Sequence, residues 1–175
     1  MPRLLRTLRV RRAPFAKGGA ILLAGALRLD CAVGVNGFAA LKREGDGRTP
    51  LGDFRLLSLR RRSDRGPRVA CALPSSAIRP DDGWCDDPAH AAYNRAVRLP
   101  FAAGHERLAR EDGVYDLLVT LDHNARPRVR GAGSAIFFHL ARPGHPGTAG
   151  CVALSAADMR RLLPRLSRRA RMRIG

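Results

Sequence analysis

Apolar residues occur along this chain in short runs separated by turn-forming and charged residues. Ala20 to Leu27 (AILLAGAL) is broken at Gly25, so Gly19 to Asn36 reads as two short strands turning near that glycine. Phe54 to Leu59 (FRLLSL), Arg68 to Leu73, Ala96 to Phe101 and Val114 to Leu121 (VYDLLVTL) read as further strands. Ala135 to Leu140 (AIFFHL) is apolar apart from its histidine, which predicts a strand buried on both faces. Residues 74–95, with Trp84 among them, read as a long, irregular, polar connection. Ser155 opens the best helix. Ser155 and Asp158 have capping-box spacing, and Met159, Leu162, Leu163 and Leu166 form a helical stripe. Pro164 removes the backbone bond to Arg160, so the helix kinks or ends there. Arg169 to Ile174 alternates again and predicts a closing strand. Residues 1–13 predict a basic, poorly ordered tail, and residues 14–175 a single domain. Many short strands and one late helix make the expected fold mainly β.

Composition narrows the classes. A chain of 175 residues suits one domain, and 45% hydrophobic residues exclude a chain disordered by composition. No run of eighteen apolar residues exists, so no ordinary transmembrane helix is expected. The 32 Lys and Arg against 15 Asp and Glu give a net charge of +17. Only Lys17 and Lys42 are lysine, and the arginines are spread among abundant Ala, Gly and Leu, as a GC-rich genome would spell them. Three clusters, Arg3 to Arg12, Arg60 to Arg68 and Arg160 to Arg173, keep open an attraction to nucleic acid, an anionic membrane surface or the bacterial wall. Aromatics are only 5% and do not interleave with these clusters, so no specific nucleic-acid binding is expected. The basic start and the apolar run after it imitate a signal peptide. Pro14 and Lys17 separate the two parts, and the cleavage pattern is poor.

Cys31, Cys71, Cys85 and Cys151 include no CxxC pair, which argues against a zinc ribbon. Cys31 and Cys71 sit in apolar stretches and read as buried thiols, while spacing leaves disulfide pairing open. Trp84, Cys85, Asp86, Asp87 and His90 contain metal-ligand types. The adjacent acids would diverge in extended chain, so neither metal nor cofactor is expected. Glu106 and Asp112 read as surface partners of nearby arginines, and His123-Asn124 as a turn. A P-loop is excluded because GxxxxGK[ST] is missing.

The segment Gly131 to Ser155 carries the candidate chemistry. His139 ends an apolar run, and Cys151 begins another after a loop punctuated by Pro143-Gly144 and Pro146-Gly147. Those turn formers let the loop fold back and bring the two side chains together. A free thiol titrates near ~8.5, so it needs a base beside it to act as a nucleophile at neutral pH. Gly150 clears space for backbone N–H groups to face a reacting carbonyl, which makes the Gly150 and Cys151 amides candidate oxyanion donors. The expected reaction is acyl transfer through a thioester.

His139 with Thr148-Ala-Gly-Cys151-Val resembles the active-site segment of the YkuD-type L,D-transpeptidases. Lys42 through Thr49-Pro50-Leu-Gly52-Asp-Phe54 resembles that family's Gly-x-x-Thr-Pro-x-Gly-x-Phe segment. Gly83 to Pro88, Tyr93 to Arg95, and His105-Glu106 through Tyr115-Asp116 look like one branch of it, so the similarity spans about residues 19–170. The resemblance implies a mixed β-sandwich or barrel-like catalytic fold, with Cys151 as nucleophile, His139 as base and later acid, and the Leu140 carbonyl orienting the imidazole. It implies peptidoglycan stem peptides as substrates. The enzyme would attack the L-centre carbonyl of the third residue, release terminal D-Ala, and pass the acyl group to an amine. Water as acceptor would give a carboxypeptidase, and a non-catalytic basic binding protein on the same scaffold is the other alternative. The family's substrate implies the cell envelope, although the sequence carries no convincing export signal. A monomer is expected. Compared with the family, the loop from His139 to Cys151 is short, and Ala149 and Ala153 replace frequent polar residues. Arg142, His145 and Thr148 remain to meet a stem-peptide carboxylate, with Trp84 at the core or cleft rim.

Overall fold

In the computed structural model, which describes residues 4–175, short strands wrap around one apolar interior. In chain order they are β1 (Leu5–Arg12), β2 (Gly19–Ala24), β3 (Leu27–Ala32), β4 (Phe38–Ala39), β5 (Thr49–Pro50), β6 (Gly52–Arg61) and β7 (Ser75–Ala77). There follow β8 (Asp82–Cys85), β9 (Arg95–Arg98), β10 (His105–Arg107), β11 (Leu117–Leu121), β12 (Phe137–Leu140), β13 (Val152–Leu154), helix α1 (Ala156–Leu162) and β14 (Leu166–Ile174).

The main sheet runs β11-β12-β13-β3-β2-β1-β14-β6, and β6 pairs with β11 to close it into an eight-strand, barrel-like layer; β7 adds to β6. Eight strands enclose a space that side chains alone can fill. Leu8, Leu22, Leu59, Val119, Phe138 and Val152 fill it, each fully or almost fully buried. α1 seals the interior with Met159 and Leu162. Its start and end follow the sequence: Ser155 Oγ accepts from the Asp158 N–H at 3.1 Å, and Pro164 turns the next residues into a 3-10 turn, Leu163–Arg165. A smaller sheet, β10-β8-β9, covers a second cluster built on Leu108, Tyr115, Leu118 and Phe137.

Four expectations need correction. Residues 5–12 are no tail: they form β1, which pairs in parallel with β14 and antiparallel with β2. Leu8 and Val10 point inward between Arg9 and Arg11, a period of two that the density of arginine obscured. Residues 1–3 of the expected tail lie outside the described residues. Arg68 to Leu73 alternates in burial, with Leu73 inward, yet it makes no ladder; the strand begins later, at Ser75. Residues 74–95 are not wholly irregular, because they hold β7 and β8. The four cysteines are free; Cys31 is buried, whereas Cys71 is only half-buried.

The placement of β1 generates a test. Leu8→Ala should destabilise the protein by ~2–5 kcal/mol, as for other fully buried leucines, measured by urea unfolding. A change within experimental error would return residues 5–12 to the status of a dispensable tail.

Candidate active site

Strands β12 and β13 run parallel, with Phe138 opposite Val152 and His139 opposite Ala153. Alternation then sorts their side chains. Phe138, Leu140, Val152 and Leu154 enter the barrel interior. Phe137, His139 and Ala153 face the other way, as does Cys151 one residue before β13. That outer face is the floor of a cavity of about 950 Å³ whose lining includes His139, Cys151, Tyr115, Glu106, Arg110 and Arg142. The 11 residues from Ala141 to Cys151 span the parallel connection by reversing direction, with positive φ at Gly144 (81°) and His145 (54°).

His139 is buried. Its Nδ1 lies 2.8 Å from the Leu140 carbonyl oxygen, so Nδ1 carries the proton and donates it there. Nε2 is left as the basic nitrogen. The ring meets Tyr115 edge-on, with centroids 5.2 Å apart. Burial pushes the His139 pKa down to about 4, assisted by the positive charge of Arg110 and Arg142 and opposed by the bond to Leu140. Cys151 is half-buried, and its Sγ accepts the Phe137 N–H at 3.3 Å. Burial, then the Glu106 carboxylate, pushes the thiol up to about 12. The sulfur and the imidazole share one face of adjacent strands but make no hydrogen bond to each other. The resting pair is therefore a neutral thiol and a neutral imidazole.

The Cys151 loop is fixed from a distance. Thr49 is fully buried; its Oγ1 donates to the Gly150 carbonyl at 2.9 Å and accepts the Gly34 N–H at 2.8 Å. Gly150 has φ +138°, and a Cβ there would lie 2.7 Å from the Arg48 carbonyl oxygen, so only glycine fits. The Thr49-Pro50 and Gly150-Cys151 segments thus meet across 101 residues of sequence.

Other expected site residues are placed as follows. Thr148 serves the loop: its Oγ1 donates to the Cys151 carbonyl at 2.7 Å and accepts the Gly150 N–H at 3.1 Å. The Gly150 amide is consequently engaged and is no free oxyanion donor, contrary to expectation. Arg142 lines the cavity and is bonded to Asp112 at 2.9 Å, with about half its side chain exposed. His145 does not line this cavity; its Nε2 is buried without a partner. Trp84 does not line it either. Its indole N–H donates to Asn94 at 3.1 Å and its ring packs edge-on against Phe137, behind the floor.

Sequence reasoning missed three neighbours. Glu106 is a cavity residue that accepts the Tyr115 hydroxyl at 2.5 Å, rather than a surface partner of arginine alone. Burial raises its pKa above the usual carboxylate range. Tyr115 is buried, and its phenol is raised well above its ordinary value, first by burial and then by the nearby Cys151. Lys42 lines the cavity with its ammonium paired to Asp46. The lysine's unusual status in an arginine-rich chain was the available signal. Asp112 does pair with Arg110, at 2.6 Å, and that bond holds its carboxyl well below the usual range.

A family model, the YkuD L,D-transpeptidase catalytic domain, matches residues 11–174. Searches of curated proteins and of solved structures gave no match. The family match extends from the end of β1 to the end of β14, and so takes in the whole cavity floor together with the segment that clamps it. With nearly the whole chain covered, the protein belongs to the YkuD family of L,D-transpeptidase catalytic domains, whose enzymes act on peptidoglycan.

Proposed function

We propose that this protein is a cysteine acyltransferase that cleaves peptidoglycan stem peptides through a thioester on Cys151 and transfers the acyl group to an amine. The observation that supports this best is the cavity floor, where Cys151 and a histidine of defined tautomer share one face of two parallel strands.

The chemistry starts from a neutral pair. As the sulfur attacks the L-centre carbonyl of the third stem residue, its proton passes to Nε2 of His139. The Leu140 carbonyl keeps Nδ1–H in place and stabilises the transient imidazolium. The oxyanion is received by the Cys151 amide, since the Gly150 amide already serves Thr148. Collapse of the intermediate breaks the bond to the terminal D-Ala, whose nitrogen takes the proton back from His139. The acyl group then leaves the sulfur for an amine on a neighbouring stem, with His139 acting as base again. Arg142 and Arg110 converge on Asp112 at one side of the cavity. Arg142 keeps donors free there for a substrate carboxylate. The family's substrate puts this work in the cell envelope.

Incubation with a carbapenem should add its mass to the wild-type protein and not to Cys151→Ala, read by intact-mass spectrometry. Equal behaviour of the two proteins would remove Cys151 from the chemistry. His139→Gln, which roughly preserves volume, should slow this acylation by ~10²–10⁴-fold at neutral pH while unfolding at a similar temperature. An undiminished rate would move the base elsewhere.

The raised thiol pKa and lowered imidazole pKa have opposite signatures. Iodoacetamide alkylation of Cys151, followed by peptide mapping, should be slow at neutral pH and keep rising past ~8.5, the free-thiol value. Carbapenem acylation needs neutral His139, so it should persist as pH falls below 6.5 and disappear only toward about 4. An alkylation plateau near neutrality would indicate a preformed thiolate–imidazolium pair instead.

A further inference from the structure

One end of the barrel, away from the interior and outside the catalytic cavity, carries an unusual combination of residues. It is the rim where β1 ends, β2 and β6 begin, and β3 and β14 end. Large apolar side chains stand in the open there: Phe15 is 105% exposed in the turn between β1 and β2, Val35 66%, and Leu51 41%. Pro14, next to Phe15, borders one groove with Arg12, Val35 and Gly37; Leu51 approaches Gly175, whose N–H donates to the Val10 carbonyl near the end of β1.

The barrel wall leading to this rim is basic. Arg9 lies directly opposite Arg173 on parallel strands, and Arg171 directly opposite Arg55. Their inward neighbours Leu8 and Met172 are fully buried, so the arginines share the outer face. Arg11 continues the stripe toward the Phe15 turn, which also carries Lys17, while Arg12, one residue on, lines the rim groove over the Phe38 ring. Like charges set opposite one another cost stability. The partner carboxylate on this stretch is Asp53, which bonds Arg171 at 2.8 Å and Arg173 at 3.2 Å. Arg9 and Arg11 are exposed. Half-exposed Ile21 and Leu23 sit in register with Arg11 and Arg9 and give their alkyl stems apolar cover.

From this we infer that the Phe15 rim and the adjoining arginine wall form a docking surface for an anionic lipid bilayer. The charge complements acidic headgroups, and an unpartnered phenylalanine at a protruding turn gains free energy only by entering an apolar medium. Nucleic acid offers the charge without a place for Phe15, and no aromatic residue on the wall would stack a base. No helix among the described residues is long and apolar enough to cross a membrane, so contact here is peripheral. The rim also bears on the active site, because the Val35 N–H donates to the Thr148 carbonyl at 2.9 Å. Docking at this end brings the Cys151 loop close to the bilayer. The inference is independent of the acyl-transfer reading.

Sedimentation with phosphatidylcholine vesicles, with and without phosphatidylglycerol, tests it. The full chain should bind the anionic vesicles and not the neutral ones, with affinity falling as salt rises. Phe15→Ser should weaken binding roughly tenfold or more. Arg9→Gln and Arg11→Gln should each weaken it roughly fivefold. Thermal unfolding verifies that these surface variants keep the fold. Phe15→Trp emission should shift to the blue on anionic vesicles only. Equal binding to both vesicle types, indifference to Phe15→Ser, or an unshifted Phe15→Trp spectrum would each overturn the proposal. So would binding to duplex DNA that is tighter than to vesicles and unaffected by Phe15→Ser. Carbapenem acylation of Cys151 reads the other proposal separately.

Discussion

The site depends on one constraint: β12 and β13 are adjacent and parallel. Parallel neighbours cannot be joined by a tight hairpin, so the chain must travel back along the full strand before it can pair again. Here that return takes only 11 residues, and the loop manages it with glycine and a left-handed histidine. The outcome is that Cys151 and His139, from two strands, face one cavity. Thr49 and the crowded Gly150 then hold the returning loop against the β4–β5 region. The Thr-Pro segment is thus an anchor for the backbone beside Cys151, the proposed nucleophile.

Burial decides which charge states this floor can hold. Desolvation acts in opposite senses on the two groups, raising the thiol and lowering the imidazole, because each is pushed toward neutrality. Glu106 reinforces the protonated thiol, and the two arginines reinforce the neutral imidazole. A neutral resting pair keeps the thiol unreactive until a carbonyl is positioned above it. In the proposed acyl transfer, proton transfer and nucleophilic attack are then one event, and the electrostatic benefit arises in the transition state.

Much of this was legible in the sequence, and the reasons are local. The AIFFHL run announced a strand buried on both faces, and β12 is buried throughout. Ser155, Asp158 and Pro164 fixed the helix boundaries through capping and a missing N–H, which act within a turn. What escaped depended on distant partners. The alternation of Leu8 and Val10 was hidden among arginines, and the ladders to β14 and β2 make that segment a strand. The Glu106–Tyr115 bond, the clamp of Thr49 on the Gly150 carbonyl and the retreat of Trp84 behind Phe137 are tertiary facts. Spacing along the chain carries no information about them.

The central claim is that a stem peptide becomes covalently attached to Cys151. Acid quenching of the protein during reaction with a tetrapeptide stem, followed by peptide mapping, examines that bond itself. The account predicts a tripeptide acyl group on the Cys151 peptide, with one D-Ala released for each acyl formed. Release of D-Ala without any acyl on that peptide, or at the same rate from Cys151→Ala, would contradict it.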